Sequence, residues 1–197
     1  APILDPRMGK FFVSLGVQAG GNVFSTTEGM GMVALGGRLS AFYVFNPTFH
    51  MGIHATYTNL DGGGLDESFF EGVEGLHDFA FGATVQLGKQ FSDRLWVGFG
   101  LDLGASALRK PTLIRAKNVT TARFDIGPHL YTAPRAQLIY LFVHGKTRMG
   151  LQASLAVPVI MGQVDYAYSH DGQSKVGDKF AVWSGLYLNL ELLLGIR

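Results

Sequence analysis

The sequence predicts an all-β protein, an eight-stranded antiparallel up-and-down barrel that crosses a membrane. Three observations predict it. Eight stretches alternate large apolar residues with small or polar ones, the period-two signature of strands. The connections between them alternate long and short, as in barrels with short turns at one rim and longer loops at the other. Although 47% of the 197 residues are hydrophobic, no apolar run approaches the roughly 20 residues of a membrane helix.

The first strand is expected near Lys10 to Ala19, with Phe11, Val13, Leu15 and Val17 on one face and Phe12, Ser14, Gly16 and Gln18 on the other. A polar connection from Gly20 to about Gly29 leads to a second strand, Met32 to Phe45, with Arg38 and Ser40 on its small face. Asn46-Pro47 is a tight turn. The third strand, Thr48 to Thr58, sets Phe49, Met51, Ile53 and Tyr57 against His50, Gly52, His54 and Thr56. After a long acidic, glycine-rich connection, Asn59 to Gly75, the fourth sets Phe79, Phe81, Val85 and Leu87 against Asp78, Gly82, Thr84 and Gln86.

The fifth strand is the cleanest. Leu95, Val97, Phe99, Leu101 and Leu103 interleave with Trp96, Gly98, Gly100, Asp102 and Gly104. A long basic connection, Leu108 to about Ile126, precedes the sixth strand, where Leu130, Pro134, Leu138 and Tyr140 oppose Arg135 and Gln137. Pro134 lacks a ladder donor, so a bulge or altered register is expected there. The seventh strand sets Met149, Leu151 and Leu155 against Arg148, Gln152 and Ser154, and Pro158 marks where its pairing weakens. A last long connection is expected from Gly162 to Asp178. The eighth strand sets Leu186, Leu188, Leu190 and Leu192 against Trp183, Tyr187, Asn189 and Glu191. Residues 1–197 read as a single domain.

Which face meets which solvent follows from residue size. A lipocalin-type barrel turns its apolar face inward, and its water-facing side is rich in charge. Here the second face is Gly, Ala and Ser with an occasional charge. Charged residues are only 16% and glycines number 27, against typical shares of about 25% and roughly 7%. Small residues suit the narrow interior of an eight-stranded barrel, so the large apolar face is assigned to lipid. Closure also satisfies every backbone group, as hydrocarbon requires. Tyr43, Phe45 and Phe49 flank one short turn and Tyr140 and Phe142 another, as in an interfacial aromatic girdle.

The pattern resembles the small outer-membrane barrels of the OmpA transmembrane-domain, OmpX and OmpW type. The last strand resembles a barrel assembly signal in Gly185, Tyr187, Leu188 and Leu190, but lacks a terminal aromatic. The resemblance implies a bacterial outer-membrane location, with both termini periplasmic and the long loops outside. It implies structural, adhesive or small-permeation roles, and lipid A modification in a few relatives.

The chemistry-bearing residues fall into three groups. The first is a lumen set, Arg38, Asp78, Asp102, Arg135, Arg148, Gln152, Asn189 and Glu191. Unpaired charges in a dry interior are costly, so these are expected to pair and plug the lumen. The second is the outer loops. Arg109, Lys110, Arg115 and Lys117 suit lipopolysaccharide phosphates, and Phe69 and Phe70 suit a partner or the barrel mouth. The third group carries no reaction. His50 and His54 are about 13 Å apart on a strand and cannot chelate one ion alone. Ser169, His170 and Asp171 are consecutive, and adjacency is not a catalytic triad. The Asn118-Val119-Thr120 sequon is read as chance. The expected protein is non-enzymatic, without cofactor or metal. Its expected partners are outer-membrane lipids, lipopolysaccharide and an envelope protein met through the loops or the periplasmic face. Net charge +1 gives no basic field for nucleic acid. A narrow channel or lateral conduit is the alternative, and a lipid A enzyme the second.

Overall fold

The computed structural model describes residues 11–24, 30–62, 73–109, 119–125, 128–143, 147–170 and 173–196. Ten strands occur among them: β1 (Phe11–Phe24), β2 (Met30–Val44), β3 (Phe49–Gly62), β4 (Val73–Gln90), β5 (Leu95–Arg109), β6 (Val119–Asp125), β7 (Pro128–Val143), β8 (Arg148–Ala156), β9 (Val159–His170) and β10 (Gln173–Ile196). They form eight staves. β6 continues into β7, because β6 meets β9 at Asp125↔Asp165 and β7 meets it at Leu130↔Met161. β9 likewise continues β8 beyond Pro158. The order β1-β2-β3-β4-β5-β7-β8-β10 is closed by antiparallel pairing of β1 with β10.

The alternation read from sequence places the faces as expected. Phe99 is 73% exposed and Leu188 61%, whereas Trp96 and Glu191 between such residues are fully buried. The exposed apolar residues recur on every stave, from Leu15 on β1 to Leu192 on β10. A continuous belt of this kind is far more than a soluble monomer exposes and suits hydrocarbon. Among the described residues, short turns lie at the rim where β1 begins and β10 ends. At Phe45 to Thr48 the Asn46 Oδ1 accepts the amides of Thr48 and Phe49, each at 2.8 Å. At Phe91 to Arg94 the Phe91 amide donates to Leu95 O at 2.9 Å.

Four expectations about extent need correction. β1 runs on to Phe24 and β3 to Gly62. The connection expected from Gly162 to Asp178 is mostly a β9–β10 hairpin, and β6 lies inside the expected basic connection. Alternation reports a lipid face, not backbone pairing, and the ladder continues where the lipid face ends. At Pro134 there is no bulge or shift. The register between β7 and its neighbour is the same on both sides, Arg135↔Ala156 below and Thr132↔Val159 above. The irregularity in this pairing lies instead at Leu141/Val143.

Candidate functional site

The lumen has an apolar floor and, above it, a charged middle. The floor, nearest the short turns, is Phe12, Phe42, Val44, Trp96, Ile139, Leu141 and Leu193, each no more than 1% exposed. Phe12 stacks on Phe42 with centroids 5.5 Å apart, and Phe42 stacks on His50 at 5.8 Å. His50 continues to Trp96 at 4.8 Å. Trp96 Nε1 donates to Pro47 O at 2.9 Å, tying the floor to a turn. The sequence reading placed Phe12 and Trp96 inside but missed the floor. The signal was available: the inward face turns large and apolar at the ends next to the short turns.

Above the floor, strands distant in sequence bring charges together. Arg38 on β2 meets Asp102 on β5 at 2.8 Å and Glu191 on β10 at 3.4 Å. Arg135 on β7 meets Asp102 at 3.4 Å and donates to Thr84 Oγ1 at 2.7 Å. Glu191 also accepts from Ser14 at 2.5 Å and from Gln152 at 3.1 Å. His54 Nδ1 lies 3.8 Å from Asp102. Two arginines and two carboxylates thus neutralise one another. Breaking such a pair leaves an uncompensated buried charge.

Glycine permits this approach. Glu191, Gly16 and Arg38 occupy one ladder row across β10, β1 and β2. A Cβ at Gly16 would meet the backbone of Leu190 and Glu191. A Cβ at Gly100 would lie 2.6 Å from Arg135 Nε. The small inward residues are therefore the space into which the long polar side chains fold.

Of the sequence-predicted lumen residues, Arg38, Asp102, Arg135, Gln152 and Glu191 form one network. Asn189 stands apart, donating to Ser154 Oγ at 3.3 Å. Asp78 accepts from Ser106, and Arg148 is buried beside Gly195 at the floor. His50 and His54 share the inward face but separate partners, Gln86 at 3.2 Å and Asp102. Among the described residues no three metal-ligating side chains cluster. Arg109 lies opposite His77 at the end of β5. Phe69, Phe70, Lys110, Arg115, Lys117, Asn118 and Asp171 lie outside the described residues, and Ser169 and His170 are successive positions of β9.

The wall has one seam. Pro134 removes an amide donor at the junction of β7 with β8 and β9, Pro158 removes one on the opposite side toward β10, and regular pairing lapses between Ala156 and Val159. Val157 N still donates to Pro134 O at 2.9 Å, and Gly185 N to Pro158 O at 3.0 Å. Behind the seam the lumen surface is apolar: Tyr131, Ala133, Ala156 and Ile160 are buried there.

Among solved structures the chain is similar to the outer-membrane protein OprG from Pseudomonas aeruginosa. The TM-score is 0.56 at 9% identity, covering 96% of this chain and 97% of that one. It is also similar to Neisserial surface protein A, with a TM-score of 0.51 at 12% identity, covering 95% and 97%. No protein-family model and no curated protein matches it. The architecture is that of the small eight-stranded outer-membrane barrels.

Proposed function

We propose that the protein is a non-enzymatic barrel of the bacterial outer membrane whose lumen is closed and whose work is done at its ends. Both termini face the periplasm, and the opposite rim binds lipopolysaccharide or an envelope partner. The observation that carries closure is the Arg38–Asp102–Arg135–Glu191 network standing on the apolar floor. An eight-stranded interior is only wide enough for side chains to fill, and these fill it with paired charge and stacked rings. The basic run Arg109, Lys110, Arg115 and Lys117 suits phosphate groups at the outer rim. Planar-bilayer recording tests closure: no steady current is expected. Sustained large single-channel currents from the unmodified protein would overturn it.

A second reading is favoured by the seam. The missing amide donor at Pro134, backed by Ala133, Ala156 and Ile160, suits lateral passage of a small amphipathic solute between upper lumen and membrane. Uptake of such a solute into proteoliposomes, with and without a disulfide between Ala133→Cys and Pro158→Cys, tests it. Uptake no faster than in empty vesicles, or unchanged by the lock, removes this reading. Mass spectrometry of lipid A with and without the protein tests for modification, and no change is expected.

A further inference from the structure

We propose that the outer wall of β3, β4 and β5 holds a phosphate group of lipid A at the row Asn59, His77 and Arg109. The inference rests on the reading that this rim meets lipopolysaccharide, and it places a contact on the wall itself. The three residues occupy one ladder row across three strands. Period two puts them on the outward face that carries Ile53 on β3, Phe81 on β4 and Leu103 on β5, 66%, 63% and 47% exposed. The row stands at the upper limit of that belt. From Phe49, beside a short turn, to Asn59 the strand climbs about 33 Å, or roughly 25 Å of height at a tilt of about 40°. The apolar band of such barrels is about 25 Å tall.

His77 is held in place from below. The Tyr57 hydroxyl and His77 Nδ1 are hydrogen-bonded at 2.8 Å, and the two rings stack with centroids 5.7 Å apart. Phe79 supports Tyr57 at 5.0 Å. With the hydroxyl as donor, the proton of a neutral ring stands on Nε2, away from Tyr57, where an anion can accept it. Asn59 adds an amide donor to the row, and Arg109 a guanidinium, the group best matched to phosphate oxygens. The ladder also places one acid on this face, Asp61, one outward position higher on β3 and two strands from Arg109. A polar row directly above exposed aromatic and branched side chains matches a ligand with a phosphate at one end and acyl chains below it. Free phosphate would use the row alone. A phosphate monoester, as in lipid A, carries about −1.5 to −2 charge at neutral pH, more than the diester of a phospholipid.

The test uses the folded full chain in detergent micelles, titrated with lipid A, lipid A stripped of its phosphates, phosphatidylglycerol and inorganic phosphate. Native mass spectrometry measures bound lipid, and the His77 ring resonances report where it sits. Lipid A is expected to bind about tenfold or more tightly than its stripped form and to shift the His77 ring. His77→Phe keeps a ring on Tyr57 and leaves Arg109 intact. It should weaken lipid A by about threefold to tenfold and leave the stripped lipid unchanged. Combined Lys110→Gln, Arg115→Gln and Lys117→Gln should leave the His77 shift in place. Equal binding of lipid A and its stripped form overturns this inference and the rim reading together. A preference for the phosphates with the His77 ring unmoved overturns the wall site and leaves the rim reading standing, even if His77→Phe does not fold. An unweakened folded His77→Phe protein does the same. Equal binding of phosphatidylglycerol, or displacement by an equal concentration of inorganic phosphate, overturns the assignment to lipid A.

Discussion

Two walls of this barrel are built on the same ladder but held differently. β4 and β5 pair without interruption from rim to rim, His77↔Arg109 to Gln90↔Trp96. Between β7 and the β8–β9 stave the regular pairing lapses beside Pro134, with the register kept and Val157 N still donating to Pro134 O. Arg135 is the last paired residue beneath that gap and the one that carries the network to it. The contrast teaches that closure of the lumen comes from side chains, while the wall is weakest where a proline removes a donor.

The largest expected effect comes from removing the centre of the brace. Asp102→Ala leaves Arg38 and Arg135 facing each other and should cost about 3–5 kcal/mol, measured by urea unfolding in lipid vesicles. A loss below about 1 kcal/mol would mean that the barrel is held by its ladder alone. Next, Leu101→Arg on the lipid face of the uninterrupted wall should cost about 2–4 kcal/mol. Thr56→Gln, a neutral change at an inward position that keeps 7% exposure, should cost much less. A neutral residue is used there because Thr56 lies opposite Arg38 in the ladder, as Gly100 and Thr84 touch Arg135. Equal costs at Leu101 and Thr56 would contradict the outward assignment.

Glu191→Gln should cost about 1–3 kcal/mol by weakening the hold on Arg38, and brief openings should appear in planar bilayers. Unchanged stability would place Glu191 outside the brace. The smallest effect belongs to the seam. Pro134→Ala returns an amide donor opposite Val157 and should stabilise the wall by about 0.5–1.5 kcal/mol. Slower amide exchange at Val157 and Val159 reports it. Exchange as slow at these sites in the unaltered protein as along β4 and β5 would erase the contrast between the walls.

The faces of the staves were legible in the sequence because lipid imposes strict alternation on every crossing. That is why the inward set, including Arg38, Asp102, Arg135 and Glu191, could be read residue by residue. Which of them meet was not legible. Strands tilt in a barrel, so height in the lumen depends on register, which periodicity does not report. Asp78 and Arg148 show this: they share the inward phase with the quartet yet stand at other levels. The floor was missed because Phe42, Ile139 and Leu193 look like lipid-facing residues until their parity is counted. The two prolines were legible as weak points, but which neighbour each leaves without a donor was not, since that depends on register across the staves.

The quartet has a consequence for how the barrel enters the bilayer. Arg135 and Asp102 sit on adjacent staves, so a β5–β7 hairpin carries its own neutral pair. Arg38 and Glu191 are separated by β1, and their contact forms only when β10 pairs with β1. Arg38's other contact, with Asp102, also reaches across the lumen, from β2 to β5. Pairing of β10 with β1 is therefore the step that matches the last two charges, which an open sheet would carry uncompensated on β2 and β10.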